Sequence, residues 1–330
     1  MKKVLYLTQS GRLFRRQHTL CWQATQSAEA RFLPIETLGE IYALGPVRLS
    51  TTVLRFLGEK RIPFHVFSYY LHYRGTFLPK GYIVSGQVRL RQARHALDRK
   101  KRLEIARRFV LGAIGGMQRN LAYYLNRGKG VEPALTELSA WEKEVRAAST
   151  LQAVMGCEGS ARRAYYGAFG AILTGWSWAG RTKRPPTDPV NALLSFLNSL
   201  TYAAVLGQLY HTPLDPVIGF LHAPGRGRFP LALDLAEIFK PLLADRLLFR
   251  LLNRQEITAT DFDPLVQGLR LRPEALRKVL QAWEAKLSET FYHRTLQRQV
   301  SYRYLIRLEA YKLMKHLLEI ASYEPFRPWW

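Results

Sequence analysis

The sequence predicts an α+β fold in which a β-rich N-terminal domain, residues 1–83, precedes a larger α-helical domain, residues 84–330. Short runs of β-branched, aromatic or alternating residues, separated by Gly, Pro and polar breaks, fill the N-terminal part. Beyond Pro79 the apolar residues recur with the helical period of about 3.6 residues. The length of 330 residues, 48% of them hydrophobic, is sufficient for two cores.

The N-terminal runs predict five strands and one helix. The strands lie at residues 4–7, 12–15, 19–23, 40–44 and 63–68. Ser50 is a suitable N-cap for the helix, because Val53, Leu54, Phe56 and Leu57 follow it as an apolar stripe. The rest of the chain is expected to be almost entirely helical.

Charge is the strongest bulk signal. The chain has 49 Lys and Arg against 25 Asp and Glu, a formal net charge of +24. Such a surface attracts polyanions, because each basic group near a phosphate releases condensed counterions. A nucleic acid is therefore the expected partner, and an anionic membrane surface is the competing one.

The first helix of the second domain, residues 87–125, is unusually basic. Its basic residues are Arg89, Arg91, Arg94, Arg99, Lys100, Lys101, Arg102, Arg107, Arg108 and Arg119. Only Asp98 and Glu104 oppose them nearby, whereas a solvated helix face usually mixes charges. We expect Arg99, Lys100, Lys101 and Arg102 to contact phosphates, the alternative being ordinary solvated surface. A second basic region, residues 292–315, interleaves tyrosines that could stack on bases or pack in a core.

No charged residue occurs between Pro189 and Pro213, a length that could span a bilayer. Polar residues interrupt the segment, and leaving amides such as those of Asn191, Asn198 and Gln208 in hydrocarbon would cost several kcal/mol each. With Asp188 as N-cap and Pro189 as first residue, we expect a buried core helix. No signal peptide is predicted, and Cys21 and Cys157 lie too far apart in sequence for a zinc cluster, so a reducing cytoplasm without membrane attachment is expected.

One acid, Glu158, lies in MGCEGSARRAYYGAFGA, where small residues are dense. Glycine weakens an isolated helix by about 1 kcal/mol, so the density predicts another backbone packed closely against most faces. A lone acid there needs a partner. The spacing alone favours Arg162, one turn away, over a metal ion.

Two basic loops follow. Residues 181–186 lead into the uncharged helix, and a Gly- and Arg-rich loop follows His222. Such loops could hold a phosphate or simply join helices. Their candidate DNA contacts are Arg181, Lys183, Arg184, Arg226 and Arg228.

Residues 219–246, GFLHAPGRGRFPLALDLAEIFKPLLADR, are the most informative segment. Asp234 and Glu237 are spaced i,i+3, so both should project from one helix face. In apolar surroundings they would raise each other's pKa unless a cation lay between them. A histidine with carboxylates suits Mg²⁺ or Mn²⁺. The alternative is an acid pair stabilised by the helix dipole beside an unrelated His222.

Pro241 should disturb the same helix. A proline inside a helix frees the carbonyl four residues earlier, which here belongs to Glu237. We therefore expect the helix to bend beside the acids.

Several long motifs occur in order: CEGSARRAYYGAF, RTKRPPTDPVNALLSFLNSLTY, GFLH followed by LALDLAEIFKPLLADR, QVSYRYLIRLEAYKLMKHLL and the terminal YEPFRPWW. Together they resemble the CRISPR-associated integrase and endonuclease family of spacer acquisition, over nearly the whole chain. The terminal features look most like subtype I-B. Two positions depart from the family pattern: Pro230 stands where serine is common, and Ile238 where a second glutamate is common.

The resemblance implies a metal site made by Glu158, His222 and Glu237, with Asp234 beside them as a second acid. Ile238 cannot bind metal, which supports Glu237 as the ligand. The implied reaction is a metal-dependent attack of a DNA 3′-hydroxyl on a phosphodiester at the edge of a repeat. His222 would bind metal as neutral imidazole, so activity should fall at acidic pH.

The resemblance also implies a homodimer, with the β-rich domain as the candidate dimer surface, and a small ferredoxin-like partner whose dimer bridges two integrase dimers. Two alternatives remain for function. One is a structure-directed endonuclease on branched DNA, and the other is a DNA-binding scaffold without catalysis.

Overall fold

The computed structural model describes residues 2–80, 83, 85–182, 185–223, 229–265 and 268–329. The N-terminal region is strand-rich, as expected. Its elements are β1 (Lys3–Leu7), β2 (Gly11–Arg16), β3 (Thr19–Ala24), β4 (Arg31–Leu33), a short 3-10 helix (Ile35–Thr37), β5 (Leu38–Ala43), β6 (Val47–Arg48), α1 (Thr51–Lys60), β7 (Phe64–Phe67) and β8 (Tyr73–Phe77).

These strands form two sheets. In the first, β1, β5 and β7 are parallel and β8 pairs antiparallel with β7 at the edge. The second has the order β4-β3-β2-β6. A core that includes Leu13, Ile41 and Phe56 lies between the sheets and α1. All five predicted strands and the helix after Ser50 are present, although the Ser50 side chain makes no capping hydrogen bond.

The later region is mostly helical. Its helices are α2 (Gly86–Leu97), α3 (Arg99–Leu125), α4 (Glu132–Ala147), α5 (Leu151–Gly167), α6 (Phe169–Ile172), α7 (Pro189–Leu209), α8 (Pro230–Lys240), α9 (Arg246–Asn253), α10 (Pro273–Ser288) and α11 (Tyr302–Leu317). Two small hairpins interrupt them, β9 (Phe262–Pro264) with β10 (Leu269–Leu271) and β11 (Thr290–His293) with β12 (Arg298–Ser301). The expectation of an almost entirely helical region therefore missed four short strands. The α+β class is confirmed, and the domain boundary at residue 83 stays a prediction.

The basic helix predicted at residues 87–125 is two helices. Asp98 separates α2 from α3 and caps α3, because its Oδ1 accepts hydrogen bonds from the backbone N–H groups of Lys100 (2.8 Å) and Lys101 (3.0 Å). An N-cap aspartate satisfies donors that the helix leaves free, and this favours a new start over a continuous helix.

Helix α7 is the expected core helix. Asp188 Oδ1 accepts a hydrogen bond from the Asn191 backbone N–H at 2.9 Å, and Pro189 is the first helical residue. The helix is long and apolar enough to cross a membrane by length and composition, but 83% of its apolar window is buried inside the protein. Packing in the protein core is therefore sufficient to explain why α7 is apolar.

A buried polar network joins the strand-rich region to the helices. Glu40 on β5 is 3% exposed and accepts a hydrogen bond from Gln208 Nε2 of α7 at 3.2 Å. Arg307 Nη2 donates to the Oε1 of the same glutamine at 2.9 Å. Gly207 allows this approach, because a Cβ there would lie 2.7 Å from Glu40 Oε1.

The same part of the fold contains two side chains of the second basic region, Tyr302 and Arg303. Arg303 is 7% exposed and donates to Glu284 Oε2 at 2.8 Å, and Tyr302 is 2% exposed. Of the two alternatives for residues 292–315, packing therefore describes these side chains.

The segment after Glu237 has an irregularity at the expected position. Residues Pro241–Asp245 form a π-helical turn between α8 and α9. Asn120 Nδ2 donates to the Pro241 carbonyl at 2.7 Å, and Gly116 lets the proline ring approach α3. Single π turns inside helices occur frequently at functional sites.

Candidate active site

A cavity of about 1310 Å³ lies between the strand-rich region and helices α5, α7 and α8. Glu158 from α5, His222 from the segment before α8, and Glu237 from α8 all line it. The structure thus brings the three residues to one place, although the first lies far from the others in sequence.

Basic side chains connect the two glutamates. Arg162 Nε lies 3.3 Å from Glu158 Oε1, and an Nη of the same guanidinium donates to Glu237. Lys240 Nζ donates to the other oxygen of Glu237. The ion pair that the α5 spacing favours is therefore present, and it lies inside the cavity rather than on the surface.

Asp234 has a different environment from Glu237. It is fully buried, and its carboxylate accepts hydrogen bonds from the backbone N–H groups of Phe220 (2.6 Å), Leu221 (3.1 Å) and His222 (2.9 Å). Asp234 Oδ1 also lies 2.7 Å from Nδ1 of the His222 ring. Asp234 is not among the described residues that line the cavity, because these contacts use both carboxylate oxygens to hold the segment that carries His222; its assignment as a catalytic residue stays a prediction.

The charges follow from these contacts. Burial would raise the pKa of Glu237, but Lys240 and Arg162 outweigh it and hold that pKa at about 2. The rise in pKa that was expected in the absence of a cation does not occur for Glu237, since two cations contact it. Burial would likewise lower the pKa of His222, but the hydrogen bond and charge of Asp234 raise it.

The donor types suit a hard divalent cation. Glu237 is ionised at neutral pH, and the contact of Asp234 with Nδ1 leaves Nε2 of His222 for a ligand, as is common for metal-binding histidines. Among the residues described, however, no three His, Cys, Asp or Glu side chains are already grouped closely enough to hold a metal. The side chains that contact Glu237 are those of Arg162 and Lys240.

The glycines of α5 do not receive a packed backbone, which corrects the expectation from their density. A Cβ added at Gly156, Gly159 or Gly167 would meet nothing within 4 Å. Gly159 and Gly167 line the cavity together with Arg163. The small residues therefore leave open space next to Glu158.

The basic candidates on α3 divide into two pairs. Arg102 Nε donates to the Phe220 carbonyl at 2.8 Å, and Lys101 Nζ donates to Glu319 Oε1 at 3.3 Å. Arg99 and Lys100 are exposed on the first turn of the helix. Arg102 thus supports the segment that carries His222, whereas Arg99 and Lys100 remain suitable for phosphate contact.

Of the candidate DNA contacts in the two basic loops, the structure describes only Arg181. Arg181 lines the cavity, where its guanidinium donates to Asn191 Oδ1 at 2.8 Å and Ser195 Oγ at 2.9 Å. Lys183, Arg184, Arg226 and Arg228 lie outside the described residues.

Sequence reasoning missed several residues of the site. The i,i+3 spacing of Glu237 and Lys240 on α8 was a signal for their contact. Tyr70 and Arg74 also line the cavity, and Asp245 is fully buried behind it. No local pattern predicts that residues near position 70 reach a site made by residues 158–240.

Comparison with known proteins identifies the family of the chain. The family described as CRISPR associated protein Cas1 matches residues 5–285. The chain belongs to the Cas1 family. A relative from Thermodesulfovibrio yellowstonii, named CRISPR-associated endonuclease Cas1 2, is 41% identical over the full length of both chains. One from Fusobacterium nucleatum, named CRISPR-associated endonuclease Cas1, is 38% identical over 100% of this chain and 98% of its own.

A solved structure agrees with the assignment. A CAS1 protein from Thermotoga maritima is 36% identical and has a TM-score of 0.88, with 97% of this chain and 99% of that chain covered. The strand-rich N-terminal region followed by a helical region is thus the Cas1 fold.

Proposed function

We propose that this Cas1 family member is a metal-dependent enzyme that inserts short DNA fragments into a CRISPR repeat array and also cleaves DNA at the same site. One observation carries the proposal. Glu158, His222 and Glu237 line a single cavity whose wall also contains Arg162 and Lys240. The names of the full-length relatives, which describe endonucleases, support the class of reaction.

In the proposed reaction, the 3′-hydroxyl oxygen of a fragment forms a bond to phosphorus in a repeat strand. The bond from that phosphorus to the 3′-oxygen of the broken strand is lost, and the proton given up by the attacking hydroxyl is balanced by one gained at the leaving oxygen. With water as the attacking group, the same exchange is hydrolysis. Arg162 and Lys240 would stabilise negative charge on the phosphoryl oxygens.

Glu158, His222 and Glu237 would hold Mg²⁺ or Mn²⁺. Such an ion supplies Lewis-acid stabilisation of charge at the reacting phosphodiester. Asp234 fixes the His222 ring so that Nε2 is the nitrogen available to a ligand. The low pKa of Glu237 keeps this carboxylate ionised without a proton to displace.

The proposed partners are DNA, a second copy of the chain and a small ferredoxin-like protein whose dimer bridges two integrase dimers. The net charge of +24 favours the first of these. A bridged arrangement suits the chemistry, because two ends of one fragment must be joined at a fixed separation. We place the assembly in the cytoplasm.

Strand transfer into a supercoiled repeat plasmid tests the proposal. We expect joining with Mg²⁺ or Mn²⁺ and none with EDTA. Glu158→Ala, His222→Ala and Glu237→Ala should each reduce joining by on the order of a hundredfold or more, the size typical for removing one group that stabilises transition-state charge. Glu132→Ala, an exposed acid on α4, is the control.

The alternatives give other results. Cleavage of branched DNA without joining would indicate an endonuclease alone. Tight DNA binding with neither activity, unchanged in the three variants, would indicate a scaffold and would overturn the proposal.

A further inference from the structure

The connection between β7 and β8 extends the wall of the cavity from the strand-rich region. Tyr70 and His72 lie in this connection, and Tyr73 and Arg74 follow on β8. All four line the same cavity as Glu158 and Glu237. The N-terminal region therefore contributes directly to the candidate site.

This connection has a defined structure. The Ser68 backbone N–H donates to the His72 carbonyl at 2.8 Å, and the Leu71 N–H donates to the Ser68 carbonyl at 2.9 Å. Leu71 has a φ of +60° and is 3% exposed. A bulky residue in the left-handed region is unfavourable, and such conformations persist where the surrounding structure holds them.

Aromatic contacts attach the connection to the helical region on both sides of Tyr70. The Arg270 guanidinium lies 3.9 Å from the centroid of the Tyr69 ring. The Tyr73 ring meets Tyr202 of α7 edge-on, with centroids 4.9 Å apart. Tyr202 in turn accepts a hydrogen bond from the Phe229 N–H at the start of α8. The position of Tyr70 is thus fixed relative to the helix that carries Glu237.

Tyr70 itself is 38% exposed, more than the other tyrosines that line the described cavity, Tyr73, Tyr166 and Tyr202. Arginines on the wall can contact phosphates, but a half-exposed ring offers an apolar face. Aromatic faces beside cationic groups are the surfaces on which proteins stack unpaired bases.

We propose that Tyr70 stacks on an unpaired DNA base next to the reacting phosphodiester and so positions that phosphodiester between α5 and α8. This inference rests on the proposed function, and it makes Tyr70 a substrate-positioning residue. The ring face is required and the hydroxyl is not, so Tyr70→Phe should behave like the parent protein.

The probe is a short DNA duplex with a single-stranded 3′ overhang, in which 2-aminopurine replaces one overhang base at a time. With the parent protein and with Tyr70→Phe, fluorescence should be quenched at one position. Tyr70→Ala should abolish that quenching and weaken binding by about five- to a hundredfold, the range for loss of one stacked base. Tyr123→Ala, an exposed tyrosine on α3, is the matched control.

An abasic nucleotide at the quenched position should weaken binding to the parent protein as much as Tyr70→Ala does, with no further loss when the two are combined. Equal binding and equal quenching by Tyr70→Ala and Tyr123→Ala would overturn the inference. The binding assay is repeated in Glu158→Ala protein. Quenching there, together with no joining activity in the parent, would contradict the proposed function and would still show that Tyr70 stacks on a base.

Discussion

At the scale of single residues, the site contains side chains that face the cavity and side chains that hold them. Asp234 holds other residues in place, because its oxygens accept hydrogen bonds from three backbone N–H groups and contact the His222 ring. Glu158 and Glu237 face the cavity, since their partners are long cationic side chains on the cavity wall. The same residue type therefore serves two purposes within one segment.

This difference predicts effects of different size on the free energy of unfolding. Asp234→Asn places an amide N–H₂ against donors, so the free energy of unfolding should fall by roughly 2–4 kcal/mol. Glu158→Gln, whose side chain is 25% exposed, should cost less than about 1 kcal/mol. Urea unfolding of both variants is the measurement. An Asp234→Asn protein as stable as the parent but unable to join DNA would show that Asp234 acts on the substrate or metal directly.

Asp245 predicts a dependence of stability on pH. It is fully buried, and neither side-chain oxygen accepts a hydrogen bond of normal geometry from the described residues. Burial raises its pKa to about 7, although the charge of Arg162 and the interaction with the Tyr165 hydroxyl oppose the rise. The folded protein then keeps a proton that the unfolded chain releases near pH 4. Stability should therefore fall as pH rises from about 4 to 7.

Asp245→Asn removes this titration. Between pH 4 and pH 8 the parent should lose a few kcal/mol of unfolding free energy that the variant keeps, at roughly 1.4 kcal/mol per pKa unit. The test is how the stability difference between the two proteins changes with pH. The buried amide of the variant lowers its stability by the same amount at every pH. Thermal unfolding at several pH values measures the difference, with the exposed Asp263→Asn as control. A flat difference would show that Asp245 titrates normally.

At the scale of elements, the glycines of α5 lower the stability of the helix and leave open space beside it. Gly159 lies in the interior of the helix with nothing within 4 Å of an added Cβ. Gly159→Ala should raise the free energy of unfolding by about 0.5–1 kcal/mol. It should also slow DNA joining by roughly tenfold or more, since displacing a substrate by about 1 Å can cost a hundredfold.

Gly58→Ala in α1 is the matched control, because its added Cβ also meets open space but lies outside the cavity. It should give the same gain in stability with unchanged joining. Equal joining rates for the two variants would mean that DNA does not approach α5 closely.

Local patterns predicted the elements better than they predicted the site. Alternation located β1, β2, β3, β5 and β7, and Asp188 with Pro189 located the start of α7. They missed β4, β6 and β8. The first two have only three and two residues, too few to show a period, and Gly75 interrupts the five residues of β8. They also joined α2 to α3, since both helices share one basic composition and Asp98 was counted as an acid instead of a cap.

The site depends on contacts between distant segments. The i,i+3 spacing of Asp234 and Glu237 predicted one shared face, but the backbone of residues 220–222 provides donors to Asp234 alone. The spacing of residues within a helix predicts which side chains share a face, but it does not predict which other segments contact that face. The family motifs contain Glu158, His222 and Glu237, which the structure brings to one cavity, whereas Tyr70 lines the same cavity and lies outside those motifs.

At the scale of the whole molecule, the net charge of +24 is not one uniform binding surface. Many basic side chains have structural partners. Arg102 and Arg107 donate to the carbonyls of Phe220 and Ala148, and Arg303 pairs with half-buried Glu284. Composition therefore overstates the charge that can bind DNA, and the part that does bind must be separated by experiment.

The first turn of α3 allows that separation. Replacing exposed Arg99 and Lys100 with Gln should reduce the slope of log affinity against log salt by about 2, at roughly 0.9 for each phosphate that the variant no longer neutralises. Arg102→Gln should leave the slope nearly unchanged but slow joining, because its Nε holds the Phe220 carbonyl two residues before His222. DNA binding between about 50 and 200 mM salt measures both. An unchanged slope in the double variant would make this turn ordinary solvated surface. A steep fall in slope for Arg102→Gln would instead mean that the carbonyl contact gives way to phosphate when DNA binds.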